Sequence, residues 1–316
     1  RVQMTLAKIV CFSIFALAAP TLAYHFWEQY VDAFDYFGSA ALRTCPSSLN
    51  LACPRLSLAD LFGSAMATHY YRASLSQRMY WLDTLFGCTV LQFGGTTCTG
   101  LILGQTPSWL SSATAFPSLF ICWWLTFFCP FDAWFQLLHF EYAKFPILLG
   151  VWMSSAHAVT SWGMDKALGA DHLRAQGSVL VALATGTMSA CGGGILSEML
   201  GLKLPVWKFK KPTCLECSSL PIEKAFLCAL LYYALVDPHR LLWPPGVAFT
   251  ALEGRALIGI TMFELNFALY LFPKIRVTEV IGVIAGRLLN ISPYFDPNRH
   301  QNQATNIEFQ APRRDK

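Results

Sequence analysis

Seven stretches of this chain are apolar runs, among them those from Trp81 to Leu103 and from Gly177 to Leu200. A run of about 20 such residues matches the length of helix needed to cross a hydrocarbon core about 30 Å thick. Inside that core every backbone polar group must be satisfied within its own segment, so such runs are read as helices. Charged residues make up only 13% of the 316 residues, against about 25% in ordinary soluble domains. Too little charge remains to clothe a water-facing globule of this length. Disorder is excluded by the same richness in aliphatic and aromatic residues. A net charge of +4 and the lack of any RNA or DNA motif exclude a nucleic-acid protein. The class left is all-α polytopic membrane protein.

The runs suggest seven spans: Leu56 to Tyr71, Trp81 to Leu103, Trp109 to Phe128, Phe145 to Met164, Gly177 to Leu200, Ile222 to Val236 and Val247 to Phe272. Asp60 and His69 interrupt the first, which makes it weak. Ahead of them, residues 1–23 have the layout of a signal peptide: Lys8, an apolar run from Ile9 to Ala19, then small residues to Ala23. An uncleaved anchor is the alternative. Residues 24–55 place Phe26, Tyr30, Phe34 and Phe37 at helical spacing between Glu28, Asp32 and Asp35. That pattern reads as an amphipathic aromatic helix lying along a luminal surface. Cys45 and Cys53 flank a polar loop in which an oxidising lumen would favour a disulfide. Residues 56–272 form the seven-helix region and residues 273–316 a polar tail.

Orientation follows from the Lys and Arg excess of cytosolic loops. With the N-terminus luminal, fifteen basic residues fall on the cytosolic side, among them Arg72, Lys144, Lys203, Lys208, Lys210, Lys211 and Lys274. Six fall on the other: Arg43, Arg55, Lys166, Arg174, Arg240 and Arg255. The C-terminal tail is then cytosolic.

Shifting the chain by 93 residues lays TTCTGLILG over SACGGGILS, matching Cys98, Gly100, Ile102 and Leu103 with Cys191, Gly193, Ile195 and Leu196. Each segment is the middle helix of a three-span block. Three is odd, so two such blocks sit upside down relative to each other, a plan common in proteins that move solutes. Gly94 and Gly95 mark the second span, and Gly192, Gly193 and Gly194 the fifth. Clustered glycines permit helix breaks that expose carbonyls to a wet path, or let two backbones pack closely.

Several of these segments, in order, resemble the trimeric intracellular cation (TRIC) channel family. They are WWLTFFCPFD at Trp123 to Asp132, LFGCTVLQFGGTTCTGLILGQTPSWL in the second span, and ATGTMSACGGGILSEMLGLKLPVWK in the fifth. The resemblance covers roughly residues 56 to 272. It implies a homotrimer with a separate cation pathway in each protomer, built from two inverted three-helix bundles and a seventh helix. It implies potassium conduction across the endoplasmic reticulum as a counter-current to calcium release. By resemblance the helix breaks around the pathway fall at Gly94, Gly95, Gly192, Gly193 and Gly194. One departure stands out. Where animal members carry a Lys-Glu pair that helps bind phosphoinositide, this chain has Ser154 and Ser155, which puts that lipid site in doubt.

Ionisable groups within spans mark pathways, partners or interfaces. Glu264, with Asn266 nearby, sits in the seventh span, and His157 in the fourth. Asp83 and Glu198 fall near the ends of the second and fifth. Glu264 is open to two readings, a pathway carboxylate or a group paired at a protomer interface. Lys208, Lys210 and Lys211 would face anionic lipid. Cys214 and Cys217 have the spacing of half a zinc site without a second half. No catalytic motif is present, so neither an enzyme, a cofactor nor a metal is expected. An inverted-repeat secondary transporter and a non-conducting scaffold are the other classes the pattern permits.

Overall fold

The computed structural model describes residue 21 and residues 25–43, 55–75, 77–170, 178–212, 220–239, 242–244 and 248–271. Most of the leader, the Cys45–Cys53 loop, the Cys214 and Cys217 pair and the tail from 273 lie outside them. Helix α1, Trp27–Ser39, leads into a two-stranded antiparallel ribbon, β1 (Ala41–Arg43) and β2 (Arg55–Ser57), with Leu42 opposite Leu56. Then come α2 (Leu58–Ala73), α3 (Trp81–Ile102), the single turn α4 (Ser108–Ser111) and α5 (Ala115–Phe128). After a 3₁₀ turn at Pro130–Asp132 follow α6 (Ala133–His139) and α7 (Glu141–Val159). A π-turn over Thr160–Met164 leads to α8 (Asp165–Gly169), then α9 (Val179–Met199), α10 (Leu220–Val236) and α11 (Ala251–Leu271). The protein is therefore predominantly helical, and each of the seven apolar runs carries a helix.

Length separates these helices. Among the described residues, only α3 and α9 are each long and apolar enough to cross a membrane alone. A third such span arises if α5 is counted with its continuation through Pro130–His139, which is bent by 97°. The bend is local chemistry. Cys129 precedes a proline and is extended, and Phe131 and Asp132 follow with φ of 57° and 54°, so the helical ladder cannot continue.

Side-chain contacts fix the sense of each helix. At one end, called here the ribbon end, Arg255 of α11 meets Asp35 of α1 and Asp165 of α8, and Tyr232 of α10 donates to Asp165 at 2.7 Å. At the opposite, loop end, Arg72 of α2 reaches Asp132 and the Thr126 carbonyl, and Tyr270 of α11 donates to Glu141 of α7. Thr99 of α3 donates to the Thr185 carbonyl of α9, and Phe86 stacks on Trp207 beyond the far end of α9, so those two helices run antiparallel.

The α3/α9 crossing is where the glycines act. A β-carbon on Gly95 would fall on the Ser189 carbonyl, and one on Gly193 on the Leu91 carbonyl. Gly94 faces the Gly193 α-carbon, and Gly192 faces that of Gly95. These contacts exchange when Gly94 is laid on Gly192 and Gly95 on Gly193, an offset of 98 residues. The identities at an offset of 93 point to a different register. Gly100, matched there with Gly193, packs instead on the Gln105–Pro107 turn. Nor do the glycines interrupt their helices: α3 and α9 remain helical throughout. With side chains removed, two backbones approach, as small residues allow between membrane helices.

Tyr71 closes the loop end of the core. Its ring packs over Gly87 and its hydroxyl donates to the Leu202 carbonyl at 2.7 Å, fully buried. Tyr71→Phe leaves that carbonyl without its donor, a loss of about 1–2 kcal/mol. A lower midpoint in detergent thermal unfolding, with unchanged oligomer size, is the expected outcome.

The amphipathic helix α1 does more than lie along a surface. Phe34 is 1% exposed, seated where Gly259 of α11 lacks a side chain and stacked on His157 of α7 at 4.2 Å. The His157 ring bonds the Phe34 carbonyl through Nε2 at 2.9 Å. His157 thus anchors α1 to the bundle.

Candidate functional site

A cavity of about 530 Å³ lies between α2, α3, α7 and α9, beside the glycine crossing. Its middle is polar: Gln92 and Thr96 come from α3, Ser154 and Ser155 from α7, and Ser189 from α9. Helical geometry puts residues three and four apart on one face, which is how the two α3 residues share the wall. Gln92 fits because Gly63 of α2 leaves it room.

Hydroxyl chemistry here favours cations. Ser155 donates to the Val151 carbonyl at 2.8 Å and Thr96 to the Phe93 carbonyl at 3.0 Å. A hydroxyl whose proton is held by its own helix still offers oxygen lone pairs. The Ser189 hydroxyl is buried and has no hydrogen-bond partner within the protein. Trp109 borders the cavity, stacked on Phe93 at 5.4 Å and donating to Thr97 at 3.0 Å.

Two formal charges line the space, one toward each end. Asp60, in the first turn of α2, belongs to the ribbon end with Ser39, Ser57 and Thr114; Lys203, just past α9, belongs to the loop end with Tyr70. Helix α2 places Asp60 through its cap, in which the Ser57 side chain accepts from the Asp60 backbone N–H at 3.2 Å.

Of the glycines singled out from sequence, Gly194 lines the cavity, and a β-carbon there would meet nothing within 4 Å. Gly94, Gly95, Gly192 and Gly193 form the crossing that walls it. Glu264 and Asn266 do not line it. Asn266 is buried, donating to the Met262 carbonyl at 2.7 Å and accepting from Lys224 at 2.5 Å. Glu264 is half-buried on the same helix, with Oε1 unpartnered. Lys208, Lys210 and Lys211 are exposed in the loop after α9, held by a bond from the Lys210 N–H to the Met199 carbonyl. Sequence reasoning passed over Asp60, Gln92, Thr96 and Lys203 as site residues. Asp60 does carry a visible signal, a carboxylate inside an apolar run, but in sequence alone such a residue weakens a span as readily as it marks a polar lining.

Among known proteins, the profile of the TRIC channel family matches residues 73–243. The chain is 22% identical over 218 residues to the trimeric intracellular cation channel type B of Xenopus tropicalis, covering 62% of this chain and 72% of that protein. It is 25% identical over 223 residues to the type B channel of Danio rerio, covering 67% and 73%. Among solved structures, a trimeric intracellular cation channel from C. elegans without Ca²⁺ superposes with a TM-score of 0.55 at 18% identity, over 78% of this chain and 97% of that one. A structure described as the basis for activity of TRIC counter-ion channels in calcium release gives 0.50 at 19% identity, over 68% and 95%.

Proposed function

We propose, from the premise that this chain belongs to the TRIC channel family, that it conducts monovalent cations, potassium foremost, through the cavity beside the α3/α9 crossing. The observation that carries this reading is the cavity wall itself. Hydroxyl and amide oxygens from three helices replace part of an ion's hydration shell, as uncharged oxygen ligands do in cation pathways generally.

Seven spans are proposed, α2, α3, α5, α7, α9, α10 and α11, with the first three and the next three related by inversion. The reciprocal glycine contacts and the alternating helix sense support that arrangement. Each protomer then holds its own pathway. Relatives named trimeric support a homotrimer. Lys144, Lys203, Lys208, Lys210 and Lys211 gather at the loop end, which favours that end as cytosolic, the ribbon end as luminal, and the basic loop as a contact for anionic lipid. An endoplasmic reticulum location and a counter-ion role in calcium release extend the same family reading. Ser154 and Ser155 line the cavity where a Lys-Glu pair is expected in animal members, so no phosphoinositide is proposed there.

Purified protein in a planar bilayer under a potassium chloride gradient is expected to show unit currents reversing near the potassium equilibrium potential. Reversal near the chloride potential, or silence, contradicts the proposal. Flux above about 1000 ions per second, the top of ordinary turnover, separates a channel from a coupled transporter.

A further inference from the structure

The two charges of the cavity wall divide its labour. We infer that Asp60 makes the ribbon-end mouth select cations over anions, and that Lys203, toward the other end, makes the current depend on direction. The inference rests on the proposed conduction through this cavity and assigns roles within it.

Among the described residues that line the cavity, only Asp60 and Lys203 bear a formal charge. Everything between them is neutral: hydroxyls, the Gln92 amide, aromatic rings and glycine. A fixed charge on such a wall acts on an ion without competition from neighbouring charges, and low-dielectric walls concentrate its field along the space. Asp60 is not neutralised by a cation: the ion pairs among the described residues are those of Arg72 with Asp132 and of Arg255 with Asp35 and Asp165. Arg255, a basic group at that end, is committed to its two carboxylates. Arg55 of the ribbon is exposed and lies outside the lining. The backbone of Asp60 is fixed by the bond from its N–H to Ser57, which sets the residue at the start of α2, at the ribbon end of the lining.

Lys203 has the opposite effect. A cation arriving from the ribbon end is drawn in by Asp60 and meets Lys203 only on leaving, whereas one arriving from the loop end meets the positive charge first. Unequal barriers in the two directions follow from that order, and with them a current that rectifies. The bland role for an acidic residue in the first turn of a helix is to favour the helix dipole. That role predicts a change in stability and none in selectivity.

The experiment compares wild type, Asp60→Asn, Asp60→Glu and Lys203→Gln, each purified and recorded in planar bilayers in potassium chloride. Asp60→Asn is expected to lower the potassium-to-chloride permeability ratio several-fold. It should reduce conductance about two-fold or more at 0.1 M salt and little at 1 M, because the Debye length shrinks from about 10 Å to about 3 Å. Asp60→Glu should restore both. Lys203→Gln should make the current-voltage curve more symmetric. A defect from misfolding would persist at both salt concentrations, and oligomer size in detergent reads it separately. Wild-type permeability ratio and low-salt conductance in Asp60→Asn would overturn the inference while leaving conduction intact. A silent wild type would overturn conduction itself, and this inference with it.

Discussion

Gly193→Ala is expected to lower the unfolding midpoint in detergent by many degrees, although it adds one methyl group. The new β-carbon would lie inside contact distance of the Leu91 and Val90 carbonyls, which are backbone and cannot rotate away. Accommodating it means moving α3 away from α9 along their glycine-lined contact. Overpacking generally costs about 1–3 kcal/mol, occasionally more, and a clash with rigid backbone belongs at the upper end. Gly95→Ala, whose β-carbon would strike the Ser189 and Met188 carbonyls, should behave alike if the two helices are related by two-fold exchange. Gly194→Ala, one residue along and facing open space, should unfold like wild type. Thermal unfolding followed by size-exclusion fluorescence compares all three. Equal midpoints for Gly193→Ala and Gly194→Ala would remove the packing role.

The second large effect is expected from Phe34→Ala. Its ring fills the notch at Gly259 and stacks on His157, so truncation leaves a cavity between α1, α7 and α11. Losses of about 3–5 kcal/mol are usual for a buried Phe→Ala change. Arg255 would still pair with Asp35 at 3.1 Å, but that pair is partly exposed, and exposed pairs contribute about 1 kcal/mol or less. The helix should therefore loosen as a unit. Limited proteolysis is expected to cut between α1 and α2 in the variant at protease levels that spare wild type. Unchanged resistance and midpoint would show that α1 is a peripheral attachment.

The apolar runs located the helices well. Trp81 to Leu103 became Trp81–Ile102, Gly177 to Leu200 became Val179–Met199, and Ile222 to Val236 became Leu220–Val236. A long, mostly apolar segment has few other ways to satisfy its backbone away from water. What pairs with what was harder to read. Glycine carries no side chain to declare its neighbour, so the clusters at Gly94 and Gly192 permitted both a break and a close approach, and only the carbonyls opposite them decide for approach. The likeness of Cys98 and Gly100 to Cys191 and Gly193 does not correspond to exchanged contacts: the glycine contacts that do exchange, between Gly94 and Gly193 and between Gly192 and Gly95, fall at an offset of 98 residues. The 97° turn after α5 had a local marker in Pro130, whereas the seating of Phe34 against Gly259 joins residues more than two hundred positions apart. The cavity lining was hidden for a related reason. Gln92, Thr96, Ser154, Ser155 and Ser189 are unremarkable within their own helices and become a polar wall only once four helices are packed together.

The proposal that ions pass through this cavity is tested most directly by plugging it from a position that tolerates bulk. Gly194→Trp adds a large ring where the structure has open space beside the polar lining. The variant should fold and assemble as wild type does and carry no resolvable current in planar bilayers. Full-sized, cation-selective currents through an intact Gly194→Trp protein would place the route elsewhere.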